Sequence, residues 1–150
     1  MRAPESTGLP EASVELLAAA VQGMGPAALE SDPERRYGRA QLVALRAGAA
    51  VLAAHARADA EARRPRSVWT MLCGISPELR EWAEFFALSE RIMQQRRKLT
   101  HGELPAVTAR EADDLVRDAR RFVDVVVEYL TRRSRTAAEV DSQRVAAGRL

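Results

Sequence analysis

Apolar residues recur every three to four positions along most of this chain, and this spacing is the signature of amphipathic helices. The pattern predicts helices over residues 10–30, 33–60, 68–73, 77–98 and 109–133. The fifth has the cleanest apolar stripe. Gly23, Gly25 and Pro26 interrupt the first, so we expect a kink or a break there, because proline removes a backbone donor.

Helix start signals stand at four places. Asp32-Pro33 and Ser76-Pro77 each join a capping side chain to a proline suited to the first helical position. Ser67 is a candidate cap for the short helix, and Thr108-Ala109-Arg110-Glu111 fits a capping box. No segment has the alternation of a strand. We therefore predict an all-α fold, an antiparallel bundle of four long helices and one short helix.

The predicted helix ranges also give the domain organisation. Residues 10–133 form the bundle, and the weakly patterned residues 1–8 and 134–150 are predicted to be flexible tails. Both tryptophans, two of the three phenylalanines and the only cysteine lie within residues 66–86, which we place at the centre of the core.

Composition narrows the functional classes. The chain has 150 residues, 47% of them hydrophobic, and a net charge of +2, which permits nucleic-acid binding without requiring it. We expect no membrane-spanning helix and no signal peptide, and a single cysteine favours the cytoplasm. The chain lacks paired cysteines, a zinc-binding His-Glu-x-x-His pattern and a glycine-rich phosphate loop, so we expect no metal and no cofactor.

One segment carries candidate chemistry, at the end of the fourth predicted helix. Arg96, Arg97, Lys98 and His101 place several donors within two turns, enough to hold a phosphate beside an imidazole. The alternative is that these cations simply favour a helix C-terminus. With 22 arginines and two histidines, an arginine this far ahead of a histidine is also expected about once by chance.

The chain resembles the HEPN (higher-eukaryote and prokaryote nucleotide-binding) domain, and in particular a small stand-alone actinobacterial HEPN-like family. The similarity spans roughly residues 14–130. It rests on the Arg96-x4-His101 motif and on four segments: Arg35-Arg36-Tyr37 onward to Leu52, Arg64-Pro65-Arg66-Ser67-Val68-Trp69, Pro77-Glu78-Leu79-x-Glu81-Trp82-Ala83-x-Phe85-Phe86-Ala87 and Val107-Thr108-Ala109-Arg110-x-Ala112-Asp113-Asp114-Leu115.

The resemblance implies a helical bundle that forms a homodimer, with the Arg/His motifs of two chains facing one cleft. In active HEPN members these residues support metal-independent RNA cleavage. His101 would then be the general acid or base, and Arg96 would stabilise the phosphate charge. Three functions stay open: an RNA- or nucleotide-binding module, a metal-independent endoribonuclease of toxin–antitoxin or stress type, and a protein-interaction module. A basic patch that includes Arg63 and Arg64 would favour binding.

Overall fold

A computed structural model of the chain describes residues 8–55, 67–101 and 106–148. Five helices follow one another: α1 (Glu11–Leu29), α2 (Pro33–His55), α3 (Val68–Leu72), α4 (Pro77–Thr100) and α5 (Ala109–Gly148). The described part contains no strand, so the predicted all-α bundle is confirmed. Helix α2 contacts each of the other four and forms the centre of the packing.

The helices begin where the sequence places their caps. Asp32 accepts a hydrogen bond from the Arg35 N–H at 2.9 Å, and Ser67 accepts one from the Thr70 N–H at 3.1 Å. Ser76 caps α4 through the Leu79 N–H at 3.1 Å. Thr108 and Glu111 bond to each other's backbone N–H at 3.1 Å, which completes the capping box of α5.

The structure corrects one predicted helix end and shows no break within α1. Helix α1 continues through Pro26 without a break, since it packs closely on α2: a Cβ atom added at Gly23 would lie 3.0 Å from Val43 Cγ2. Helix α5 does not end near Arg133 but continues to Gly148. Residues 134–147 are rich in good helix formers and contain neither glycine nor proline, so helix propensity maintains a weakly amphipathic segment. The domain division itself stays a prediction.

An aromatic cluster joins α3, α4 and α5; its tryptophans and Phe86 come from residues 66–86, where the sequence predicts the core, and Phe122 comes from α5. Trp69 stacks on Phe86 with ring centroids 5.1 Å apart, and Phe122 lies 5.2 Å from Phe86. Trp82 lies 5.7 Å from Phe122 but is only half-buried. Gly48 lets α3 approach α2, because an added Cβ would lie 3.1 Å from Val68 and 3.2 Å from Trp69.

Helix α1 is long and apolar enough to cross a membrane by length and composition alone, with 19 residues and a mean hydropathy of 1.2. The sequence analysis did not expect a helix of this kind. Large apolar residues are few in α1, and its many alanines raise the mean hydropathy to this value. A single helix of this kind is weak evidence, since helices of soluble proteins pass the same test. In this structure α1 packs on α2 and α5, and Ser13 Oγ donates to the Ala50 carbonyl at 2.7 Å.

Candidate nucleic-acid interface

Arg96, the arginine of the predicted motif, is already held by other groups of the chain. Its Nη1 donates to the Glu111 carboxylate at 2.5 Å and to the Ala106 carbonyl at 3.2 Å. The side chain is 41% exposed and that of Glu111 is 37% exposed. Arg96 therefore ties the end of α4 to the start of α5.

Glu111 is the acceptor at the centre of this contact. Burial alone would raise the pKa of its carboxyl group, but the hydrogen bond from the Thr108 N–H and the charge and hydrogen bond of Arg96 outweigh it and lower the pKa. The carboxylate is therefore charged at neutral pH, where it attracts Arg96. A phosphate at Arg96 would have to compete with this carboxylate.

His101 follows α4 directly and adopts a left-handed backbone conformation, with φ 51° and ψ 26°. This conformation is uncommon for residues other than glycine, although histidine adopts it more often than most. The side chain is exposed, and across residues 8–55, 67–101 and 106–148 it makes no hydrogen bond or ion pair. A cavity of about 260 Å³ beside Arg96 is lined by Leu99, Ala106 and Glu111 but not by His101.

Arg97 turns toward α2 and lies in a different place from Arg96. Its Nε is 3.4 Å from Glu34 Oε1. With Arg35 and Arg39 of α2 it lines a shallow depression of about 370 Å³, completed by Glu34, Gly38 and Leu42. We call this the basic depression. It brings Arg97 beside two arginines that lie more than fifty residues earlier in the chain.

Charge is not fully balanced at the basic depression. Glu30 Oε1 lies 2.8 Å from Arg35 Nε and 3.7 Å from Arg39 Nε, while Glu34 faces Arg97. Three guanidinium groups thus meet two carboxylates. Lys98 is exposed and has no ion pair within the described part of the chain. Arg63 and Arg64, predicted as phosphate ligands, lie outside the described residues.

Sequence analysis missed Arg35 and Arg39 as site residues. The available signal is their spacing of four positions, which puts both on one face of α2. The sequence does not indicate that this face of α2 lies beside the end of α4.

Arg36 lies between these two arginines but has a different task. It is 9% exposed. Its guanidinium donates to the carbonyls of Glu30 at 2.8 Å and Ala109 at 3.2 Å. Its Nε lies 3.0 Å from Asp113 Oδ1, an ion pair that is not aligned as a hydrogen bond. Arg36 therefore connects the starts of α2 and α5 and is unavailable to a ligand.

A larger cavity, of about 880 Å³, lies between the start of α4 and residues 129–141 of α5. Here charges of both signs are already paired or mixed, since Arg132 lies 3.5 Å from Glu78 and Asp141 is close by. Beside it, His55 Nε2 is 2.6 Å from the Tyr129 hydroxyl oxygen. Without excess positive charge, this cavity is a poorer phosphate site than the basic depression.

Metal-ligating side chains do not gather in the described part: no group of three or more His, Cys, Asp or Glu residues there is placed to hold a metal ion. The expected absence of metal and cofactor stays a prediction.

The all-α bundle of five helices is consistent with the HEPN class of helical domains. The match to known families is more specific. A family model described as SAV_6107-like HEPN matches residues 27–127, about two thirds of the chain, and the protein belongs to this family. No curated protein and no solved structure shows a significant match to the chain.

Proposed function

We propose that this protein is an RNA- or nucleotide-binding HEPN module with little or no catalytic activity, and that the basic depression contacts phosphate. The observation that carries the proposal is the convergence of Arg35, Arg39 and Arg97 from two helices on one open surface. Membership of a HEPN family supports it. We also propose that the protein acts in the cytoplasm as a homodimer.

Phosphate would bind by exchange with the present carboxylate partners. Arginine presents a planar fork of donors that matches phosphate oxygens. The contacts of Arg39 and Arg97, at 3.7 and 3.4 Å, are longer than tight ion pairs and leave donors free to turn outward. Leu42 is 42% exposed and offers an apolar surface to a ribose or base. Among the described residues, no aromatic side chain lines the depression, so we expect little sequence preference.

A second candidate is a metal-independent endoribonuclease that uses Arg96 and His101. The observation in its favour is that both residues lie at the end of α4 and that the imidazole is open to solvent. Two observations oppose it. Arg96 would have to leave Glu111 to reach a phosphate, and His101 does not line the cavity beside Arg96. A third candidate is a helical interaction module that binds no nucleic acid.

Binding is tested by fluorescence anisotropy with labelled single-stranded and hairpin RNA at two salt concentrations. Changing Arg35, Arg39 and Arg97 together to glutamine should weaken binding about tenfold or more and reduce the salt dependence, since phosphate contacts release counterions. A matched control changes Arg120, Arg135 and Arg144, three exposed arginines of α5, and removes the same charge. Equal loss in both variants, or no RNA binding by the wild type, would contradict the proposal.

Catalysis is tested by incubating the same RNAs with the protein in EDTA, beside Arg96→Ala and His101→Ala. Cleavage that is lost in both variants, with circular dichroism unchanged, would support the endoribonuclease. Binding without cleavage is the result we expect. If the wild type neither binds nor cleaves RNA, the interaction module becomes the best explanation.

A further inference from the structure

Helix α4 has an exposed stripe of large apolar side chains. Phe85, Leu88 and Ile92 are 38%, 49% and 38% exposed, and Leu99 is 81% exposed. Spacings of three, four and seven residues place all four on one face. Single exposed apolar residues are common on protein surfaces, but a contiguous row of them is typical of an interaction site.

The spacing also indicates what kind of partner fits. Alternating steps of three and four residues form the seam along which one helix packs against another. The described parts of the chain place no second helix over this seam: α3 and α5 contact other faces of α4, through Trp69 and Phe122. A helix is therefore the natural occupant of the stripe.

The distribution of charge along α4 indicates which helix could pack on the stripe. The first half of α4 carries three acidic residues and one basic residue, and its second half carries four basic residues and one acidic residue. The exceptions, Arg80 and Glu90, are bound within the chain: Arg80 donates to the Cys73 carbonyl, and Glu90 accepts from Trp69 Nε1. Glu84 and Arg91 flank the stripe on the same side and are seven residues apart, about 10 Å along the helix, so they cannot pair within one chain. Neither makes an ion pair in the described parts of the chain.

We propose that the α4 stripe is a homodimer interface, in which the α4 helices of two copies pack antiparallel about a two-fold axis near Ala87. An antiparallel pair sets the acidic half of each helix against the basic half of the other, whereas a parallel pair would oppose like charges. Phe85 of each copy then packs on Leu88 of the other. Glu84 of each copy pairs with Arg91 of the other, as the self-complementarity of a two-fold interface requires.

The proposed interface uses the α4 stripe, a surface that the HEPN resemblance does not specify. It also differs from a dimer in which the two Arg/His motifs share one cleft. Arg96 lies nine residues from the two-fold axis, so the two Arg96 residues would lie roughly 27 Å apart along paired helices. Each copy would keep its own basic depression. The interface does not depend on RNA binding, so each proposal can fail without the other.

Sedimentation equilibrium of the full chain tests the interface by a charge swap. We expect the wild type to dimerise in the micromolar range, as small interfaces do. Glu84→Arg and Arg91→Glu should each weaken the dimer about tenfold or more, because each opposes like charges twice. The double variant reverses both partners and should return the dissociation constant to within about threefold of wild type.

Two apolar variants complete the experiment. Leu88→Ser should abolish the dimer, whereas Val21→Ser on the exposed face of α1, where Val21 is 50% exposed, should leave it unchanged. Circular dichroism checks that each variant is folded. A wild type that stays monomeric at about 200 μM, well above the micromolar range, overturns the proposal. So does a dimer that Val21→Ser disrupts instead, or a folded double variant that does not recover.

Discussion

Arg96 Nη1 lies 2.5 Å from Glu111 Oε2, so the arginine best placed by sequence to bind a phosphate is bound by a carboxylate of its own chain. The same Glu111 completes the capping box of α5 through Thr108. One acidic residue thus organises the start of α5 and neutralises the candidate catalytic arginine. The contact gives Arg96 a structural task that needs no substrate.

A double-mutant cycle measures this contact. Both side chains are more than a third exposed, so we expect a coupling of only about 0.5–1 kcal/mol between Arg96→Ala and Glu111→Ala. Glu111→Ala should cost about 1 kcal/mol more than Arg96→Ala, since it also removes a capping interaction. Urea unfolding gives each value, and Arg120→Ala, an exposed arginine of α5 without an ion pair in the described residues, is the control. A coupling of zero would show that the pair does not form in solution.

Acid should weaken this end of the bundle. The pKa of Glu111 is lowered from its ordinary value of 4.5 in the folded chain, so its stabilising effect is complete above that pH. It is lost as the pH falls from 4.5 through the folded pKa. Burial raises the pKa of Asp118, which acts in the opposite sense, so the comparison is made between the wild type and Glu111→Gln. The advantage of the wild type over Glu111→Gln should shrink as the pH falls to 3; a constant difference in unfolding free energy would contradict the assignment.

Sequence predicts the starts of the helices far better than their ends. Caps at Asp32, Ser67, Ser76 and Thr108 need only a few adjacent residues, so local chemistry determines them. The end of α5 depends on weak propensities summed over residues 134–148, with no stop signal before Gly148. The apolar stripe of α5 ends near Leu130, so the stripe indicates a shorter helix than the one that forms.

In the candidate site, too, the sequence predicts local features but not contacts between distant helices. The sequence places Arg96 and His101 close together along the chain, but the backbone turns to a left-handed conformation at His101 and the two do not share a cavity. Arg35 and Arg39 join Arg97 only because α2 passes beside α4. Contacts between distant helices depend on packing angles that no local pattern encodes.

Two glycines of α2 should respond oppositely to alanine. A Cβ at Gly48 would press on Val68 and Trp69 at 3.1 and 3.2 Å, so Gly48→Ala should destabilise the protein by about 1–3 kcal/mol. Gly38 has no atom within 4 Å of an added Cβ, so Gly38→Ala should stabilise it by about 0.5–1 kcal/mol through helix propensity. Thermal unfolding compares the two. Stabilisation by both changes would mean that α3 does not pack on α2 as described.

His55 should resist protonation. Burial and the positive charge of Arg133 lower its pKa from the ordinary 6.5, so its neutral form stabilises the fold fully above that pH and progressively less as the pH falls through the folded pKa. A titration of the His55 ring followed by NMR should show this. Arg133→Gln should raise the pKa toward 6.5, and Tyr129→Phe tests the 2.6 Å hydrogen bond at a cost of about 1 kcal/mol. No change in Arg133→Gln would remove the assigned role of its charge.

The last turns of α5 should be dispensable for the stability of the bundle. Residues 141–148 are all exposed, while the last buried core residue of the helix is Leu130. A chain that ends after Val140 keeps Ala137, which faces Gly8, and loses only exposed helix. We expect its unfolding free energy to change by less than about 1 kcal/mol, because little apolar area is lost, and its helical circular dichroism to fall with the residues removed. The matched variant ends after Val127 and also loses Leu130 and Tyr129, so it should be destabilised by about 3 kcal/mol or more. A large loss in the shorter deletion would show that residues 141–148 contact a second copy or another part of the chain.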